Sequence, residues 1–295
     1  MSWVHFLPLF AGFVYALAAM FLKRALANGA GAMRLTFISN WMAFFACTPF
    51  FFFLEGQKVD WSHWWAPLIC SVCVLLGWVS TLCAIRFGEV SLQSPLMSIK
   101  VILVSLFALF MLPGSIPIVW WISGSLIVCA MFLMSKTDGS LMHRKTVLLT
   151  FALCLCSATL FGVCDVLIEK ESPYFGEMYF LLLMAGATAV ESCLLIPFFR
   201  GSLFDIPKPA VPWVLWGTAL MGGEAALLYM AICFFGQAAV VNILYSSRGL
   251  WSVFLVGVIG HWLVKEEYSL GRNILIRRFI GAFLLCVAIG LVMTD

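Results

Sequence analysis

Charge is what this chain has least of. Only 11% of its 295 residues are charged, against 63% hydrophobic; globular domains carry about 25% and about 45–50%. Mean hydropathy is +1.06. Seventeen basic and fourteen acidic side chains cannot clothe a soluble protein of this length, so the composition implies an integral membrane protein. A net charge of +3 is too small for an electrostatic nucleic-acid binder. Long polar segments are lacking too: the connections Ser135–Lys145 and Lys265–Arg278 are too short to be domains. There is no Asn-x-Ser/Thr sequon, no HExxH, no GxSxG and no Gly-rich phosphate loop, so no known catalytic motif suggests an intramembrane enzyme. The start, MSWVHFLPLF, has no Lys or Arg before its apolar run. It lacks the basic region of a signal peptide and reads as a retained first helix.

Cysteine, by contrast, is plentiful. Eleven are present, nearly all in apolar stretches, including the pairs Cys70/Cys73 and Cys154/Cys156. In such surroundings Cys packs as a small apolar residue, whereas a metal or redox site wants polar neighbours and access. No cofactor and no metal site is expected.

Apolar runs of spanning length recur with short breaks. They predict helices near 4–22, 35–54, 64–85, 90–112, 117–134, 146–168, 176–199, 211–234, 238–263 and 279–294, each able to satisfy its own backbone in lipid. The breaks Phe87-Gly88-Glu89 and Phe235-Gly236-Gln237 lie 148 residues apart, half the chain. The same offset carries Ser98-Ile99-Lys100 onto Ser246-Ser247-Arg248. Five spans per half put the halves in opposite orientations. The expected fold is therefore all-α and integral to the membrane: ten transmembrane helices as two inverted five-helix repeats, residues 1–145 and 146–295, forming one membrane domain.

Thirteen Lys and Arg fall in the connections after odd-numbered helices and two, Lys58 and Lys170, in the others. The positive-inside rule then places both termini outside.

Five ionisable residues lie within predicted spans: Lys100, Asp165, Glu191, Glu224 and Arg248. Such groups face a cavity or a partner. Lys100 is ten residues into its helix, roughly 15 Å deep at 1.5 Å per residue, and Arg248 matches it. Helical spacing puts Gln93, Met97 and Val104 on the face of Lys100, and Tyr245 and Ser252 on that of Arg248, with Asn242 and Ser246 nearby. Polar groups converging on a buried cation suit an anionic ligand. An ion pair with Glu224 or Asp165 is the alternative. Three acids against two bases leave a carboxylate free to change protonation. Glu224 follows Met221-Gly222-Gly223, small residues that permit close helix approach. Trp61, Trp64, Trp65, Trp120, Trp121, Trp213 and Trp216 stand at helix starts as an interfacial belt. Tyr15, Trp41, Trp78, Tyr229 and Trp251, deeper in the spans, could line a cavity but are expected rather to pack or to face lipid, while Tyr245 beside Arg248 is a site candidate.

The stretches GEVSLQSPLMSIKVILVSLFALFMLPGSIPIVWWISGSLIV and FGQAAVVNILYSSRGLWSVFLVGVIGHWLVKEE resemble the drug/metabolite transporter superfamily, in its EamA-like branch. There, helices four and nine follow a tight turn and end in an acidic-Gly break before a Gly-containing helix. Lys265-Glu266-Glu267 occupies the second break, and Gly124 and Gly281 fall in helices five and ten. The first break, Pro113-Gly114, lacks the acid. The resemblance implies alternating access by rocking of the halves, no catalysis, and a site near the midplane. It implies that Lys100 and Arg248, matching basic positions used against phosphate in the nucleotide-sugar and triose-phosphate branches, favour an anionic metabolite. It also implies cytoplasmic termini, opposite to the charge count, which leaves two orientations open.

The sequence thus predicts a secondary active transporter of a small anionic or zwitterionic metabolite, multi-pass in a membrane such as the bacterial inner membrane. The expected substrate contacts are Arg248, Lys100, Tyr245, Gln93, Asn242 and Ser252. Glu224, Asp165 and Glu191 are the proton-coupling candidates. The expected partners are a small-molecule substrate, protons or a counter-substrate, and the lipid bilayer, with no nucleic acid; a monomer suffices and a dimer is compatible. The alternatives are an exporter of cationic drugs or amines using the buried carboxylates, and a non-transporting receptor or assembly subunit.

Overall fold

The computed structural model describes residues 5–54, 59–87, 96–134, 144–199, 201–263 and 272–294. They form helices α1 (Phe6–Ala27), α2 (Ala32–Cys47), α3 (Trp65–Phe87), α4 (Lys100–Met111), α5 (Ile118–Met134), α6 (Arg144–Phe175), α7 (Glu177–Glu191), α8 (Val211–Phe235), α9 (Ala238–Tyr245), α10 (Arg248–Leu263) and α11 (Arg272–Thr294), with no strand among the described residues. Seven segments are long and apolar enough to cross a membrane, and Lys100–Met111, Ile118–Met134 and Phe279–Thr294 are shorter apolar helices. The chain is an integral, multi-pass membrane protein. Its helices are apolar on every face, as lipid outside and packing inside require. Large side chains such as Phe110, Trp216 and Phe279 project outward, while Ala11, Ala16 and Ala18 of α1 are buried.

Several boundaries differ from expectation for identifiable reasons. α6 runs to Phe175, past the predicted end at 168, because Glu169 and Glu171 find partners. The Glu169 carboxylate accepts from the Ala238 amide at 2.7 Å, and Glu171 meets His63 Nδ1 at 2.6 Å. α11 begins at Arg272, before the predicted start at 279. The second and seventh spans each open at a glycine with positive φ, Gly31 (80°) and Gly176 (87°), a conformation that strains any residue with a Cβ. Each also finishes in a 3-10 segment containing a proline, Thr48–Phe53 with Pro49 and Ser192–Phe198 with Pro197. Proline removes an amide donor and tightens the last turn there.

Helix contacts come in couples. The most extensive are α1 with α8 and α3 with α6; α2 with α8 matches α3 with α7, and α1 with α10 matches α4 with α6. α5 packs on α11 and α2 on α7.

The two ends of the bundle differ. Where α4, α6 and α8 finish and α3, α7 and α9 start, one continuous core including Ala66, Ala108, Phe175, Phe180, Ile232 and Ala238 fills the interior. The amide of Asp60 donates to Tyr174 O at 3.2 Å beside it, and the His63 ring stacks on Tyr174 at 5.0 Å. Toward the opposite end the described residues form separate clusters: Ala16, Met20 and Leu255; Ala84, Leu96 and Cys154; and Ala25, Leu35 and Val214.

Candidate functional site

The fourth and ninth spans are interrupted at matching places. Residues 96 and 97 are helical, residues 98 and 99 form a turn, and α4 starts at Lys100; residues 246 and 247 form the same turn before α10 starts at Arg248. The hydrogen bonds correspond pair by pair. Ile99 N donates to Leu96 O (3.2 Å) and Val101 N to Ser98 O (3.1 Å), while Ser247 N donates to Leu244 O and Gly249 N to Ser246 O, both at 3.0 Å. These three-residue loops tighten the backbone locally, and in each half the next residue is a cation. Gly12 of α1 permits the second interruption to pack closely: a Cβ there would stand 2.7 Å from Ser247 Oγ and 3.0 Å from Arg248 N.

Between the interruptions lies a cavity of about 220 Å3. Lys100, Glu224, Arg248 and Ser252 supply polar groups to its wall, and Tyr15, Trp78, Phe161, Tyr229 and Tyr245 its rings. Glu224 is held at mid-depth because α8 and α2 approach closely beside it. A Cβ on Gly222 would lie 2.5 Å from Ala43 N, whereas one on Gly223 would meet nothing within 4 Å.

The two cations are stabilised differently. Lys100 Nζ pairs with Asp165 at 2.7 Å, and the same Asp165 oxygen accepts from Asn242 Nδ2 at 2.7 Å. Arg248 forms no ion pair to a carboxylate within 4.0 Å among the described residues. Its guanidinium lies between two tyrosine faces, 4.9 Å from the centroid of Tyr15 and 4.8 Å from that of Tyr245, which are mutually perpendicular at 5.9 Å. The Tyr245 hydroxyl reaches Glu224, whose charge also acts on Arg248. Desolvated cation–π contacts are worth about 2 kcal/mol each; they stabilise the cation without neutralising it.

Four of the six expected substrate contacts, Arg248, Lys100, Tyr245 and Ser252, line the cavity. Asn242 does not; it stands behind Lys100, bound to Asp165 and to Ala238 O at 2.8 Å. Gln93 lies outside the described residues. Of the coupling candidates, Glu224 faces the cavity, Asp165 is buried as the partner of Lys100, and Glu191 lies apart, accepting from Ser71 Oγ at 2.7 Å. Of the deep aromatics, for which packing or lipid contact is the favoured expectation and cavity lining the alternative, Tyr15, Trp78 and Tyr229 line the cavity. Trp41 and Trp251 do pack, against Phe44 and Phe13 among others. Thr81, Met131 and Phe161 carried no signal in the sequence beyond lying inside apolar runs.

Residues 2–136 match the EamA-like transporter family. Twenty-eight chains of solved structures match in fold. One, a crystal structure of a protein, superposes with a TM-score of 0.76 over 99% of this chain and 98% of its own length, at 13% identity, a likeness of fold alone. No curated protein sequence matches. The family match covers the first part of the chain, which is similar there to a family of transporters.

Proposed function

We propose, from the likeness of residues 2–136 to EamA-like transporters, that this chain is a secondary active transporter of a small anionic or zwitterionic organic metabolite, working by alternating access about the cavity between α4 and α10. The observation that carries the reading is Arg248: a cation at the cavity wall, with ring faces on two sides and no carboxylate ion pair among the described residues. A guanidinium so placed can take a carboxylate or phosphate bidentately. Lys100 contributes a second positive group whose charge Asp165 largely balances.

Several features support two inverted five-helix repeats. The coupled helix contacts map onto one another when each of ten spans is shifted by five, and the interruptions at residues 98–99 and 246–247 share their hydrogen bonds.

Glu224 is the candidate coupling group. When it is ionised, the charges of Lys100, Asp165, Glu224 and Arg248 sum to zero and a zwitterion fits the cavity. When it is protonated, one positive charge remains for an anion. A cationic substrate fits the aromatic wall less well, because the lining presents two basic groups against one carboxylate.

Counterflow in proteoliposomes tests the reading. Liposomes loaded with unlabelled amino acids, sugar phosphates, nucleotide sugars or organic cations are offered the labelled compound. An anion or zwitterion should accumulate, and Arg248→Ala should abolish this while the purified variant melts like the parent. Accumulation of a cation alone, or an anion unaffected by Arg248→Ala, overturns the proposal.

A further inference from the structure

A second, smaller chamber adjoins the central cavity. Trp78, Ala225 and Tyr229 also form one wall of a second chamber of about 30 Å3, between α2, α3, α7 and α8. Otherwise this chamber is lined by Val74, Leu181, Met184 and similar apolar side chains, and by two polar ones, Asn40 and Thr188. Asn40 is 6% exposed, and its Nδ2 is buried with no hydrogen-bond partner among the described residues. An orphaned amide donor in an apolar interior costs about 1–3 kcal/mol, and such groups in native proteins call for a partner. The Thr188 hydroxyl already donates to Met184 O at 2.8 Å, so only its lone pairs face the chamber. A volume near that of one water holds a single polar group.

We infer that the substrate extends past Trp78 and Tyr229 and places a neutral hydrogen-bond acceptor, a carbonyl, carboxamide or hydroxyl oxygen, on Asn40 Nδ2. This rests on the reading that the central cavity binds the substrate's charged end. It adds a second determinant: the substrate has a charged group at Arg248 and an uncharged oxygen at its far end.

The test uses pairs of probes matched in shape: succinamate against 4-methylpentanoate for anions, asparagine against leucine for zwitterions. Each is measured by thermal stabilisation of the purified protein and by competition in counterflow. The parent should prefer the oxygen-bearing member of a pair by about threefold to tenfold, the worth of one hydrogen bond. Asn40→Leu should erase or reverse that preference. The same variant, without ligand, should melt at the parent's temperature or higher, since it replaces an unsatisfied amide by an apolar group of similar shape; a merely structural asparagine would give the opposite result. Should Asn40→Leu fail to fold, Thr188→Val, which removes the neighbouring lone pairs, must narrow the carboxamide preference. Equal or inverted preferences in the parent, or preferences unchanged in the variants, overturn the second subsite alone, provided that Arg248→Gln loses all four probes. Probes that survive Arg248→Gln overturn the central-site reading instead. A parent that binds none of the four overturns both.

Discussion

Lys100 and Arg248 each follow a turn of the same hydrogen-bond pattern, yet their surroundings differ in kind. Lys100 has a full counter-charge: Asp165 at 2.7 Å, itself steadied by Asn242. Arg248 has two tyrosine faces. Removing an ion from water costs several kcal/mol after relaxation. An acid offsets that cost and also cancels the field outside the pair. Ring quadrupoles stabilise the ion and leave its field in place. The same backbone device therefore yields a structural cation in one half and a cation available to ligands in the other. The first ties α4 to α6 and, through Asn242, to α9; the second presents charge to the cavity.

The largest expected effect lies on the compensated side. Asp165→Ala leaves Lys100 buried without its acid and should lower stability by about 3–5 kcal/mol, the usual result of removing one member of a buried pair. Lys100→Met combined with Asp165→Asn removes both charges and should restore most of the loss. Thermal melting of the three proteins in one detergent reads this directly. A double variant no more stable than Asp165→Ala would show that Asp165 does more than balance Lys100.

Next in size is the functional asymmetry. Arg248→Met should reduce anion counterflow by about 100-fold, as expected when a charged hydrogen-bonding partner of the ligand is truncated. The Lys100→Met, Asp165→Asn pair should keep transport within about tenfold of the parent. Equal losses in both proteins would break the comparison and make the two cations a joint clamp.

This asymmetry was not legible in the sequence, although the pairing of a turn with a cation at both places was. The 148-residue offset between Gly88 and Gly236 brought Lys100 and Arg248 into register, because a tight turn and a mid-membrane charge are rare in apolar helices and stand out. Helical spacing then put Tyr245 and Ser252 beside Arg248, as observed. Whether Asp165 would meet Lys100 or Arg248 depends on how α6 is rotated against α4, and a helix apolar on every face carries no stripe to fix rotation. Tyr15 escaped for the same reason: it reaches Arg248 because Gly12 lets α1 lie against residues 245–248. Asn40 gave no signal because a single amide in a span satisfies many packing roles equally well. Helix ends were misjudged where charged residues continued a helix, as at Glu169–Glu171, since their partners come from distant parts of the chain.

That close approach of α1 gives the third prediction. Gly12→Ala drives a methyl group against Ser247 Oγ and the backbone of Arg248, and overpacking of this kind costs about 1–3 kcal/mol. Gly223→Ala, in open space near Glu224, should be neutral or stabilising by up to about 1 kcal/mol, from helix propensity. Gly12→Ala should also weaken anion transport by displacing Arg248, while the melting change on adding Asp165→Ala stays the same as in the parent. Non-additive losses from the two variants would mean that the interruptions communicate, and the halves could no longer be treated as independent.

The smallest effect separates the two rings around Arg248. Both Tyr15→Phe and Tyr245→Phe keep a ring face over the guanidinium, so the cation–π contribution survives in each. Only the Tyr245 hydroxyl also interacts with Glu224, and it interacts with the Arg248 guanidinium as well. Tyr15→Phe should therefore leave counterflow within about twofold of the parent. Tyr245→Phe should lower it by about threefold to tenfold, the worth of one hydrogen bond. If Glu224 is the coupling group, Tyr245→Phe should also alter the dependence of flux on an imposed proton gradient, which Tyr15→Phe leaves as it was. An effect of equal size in both variants would show that the hydroxyls act on the substrate rather than on Glu224. The second half would then carry its own polar cage around Arg248, in place of an open cation backed by a titratable acid.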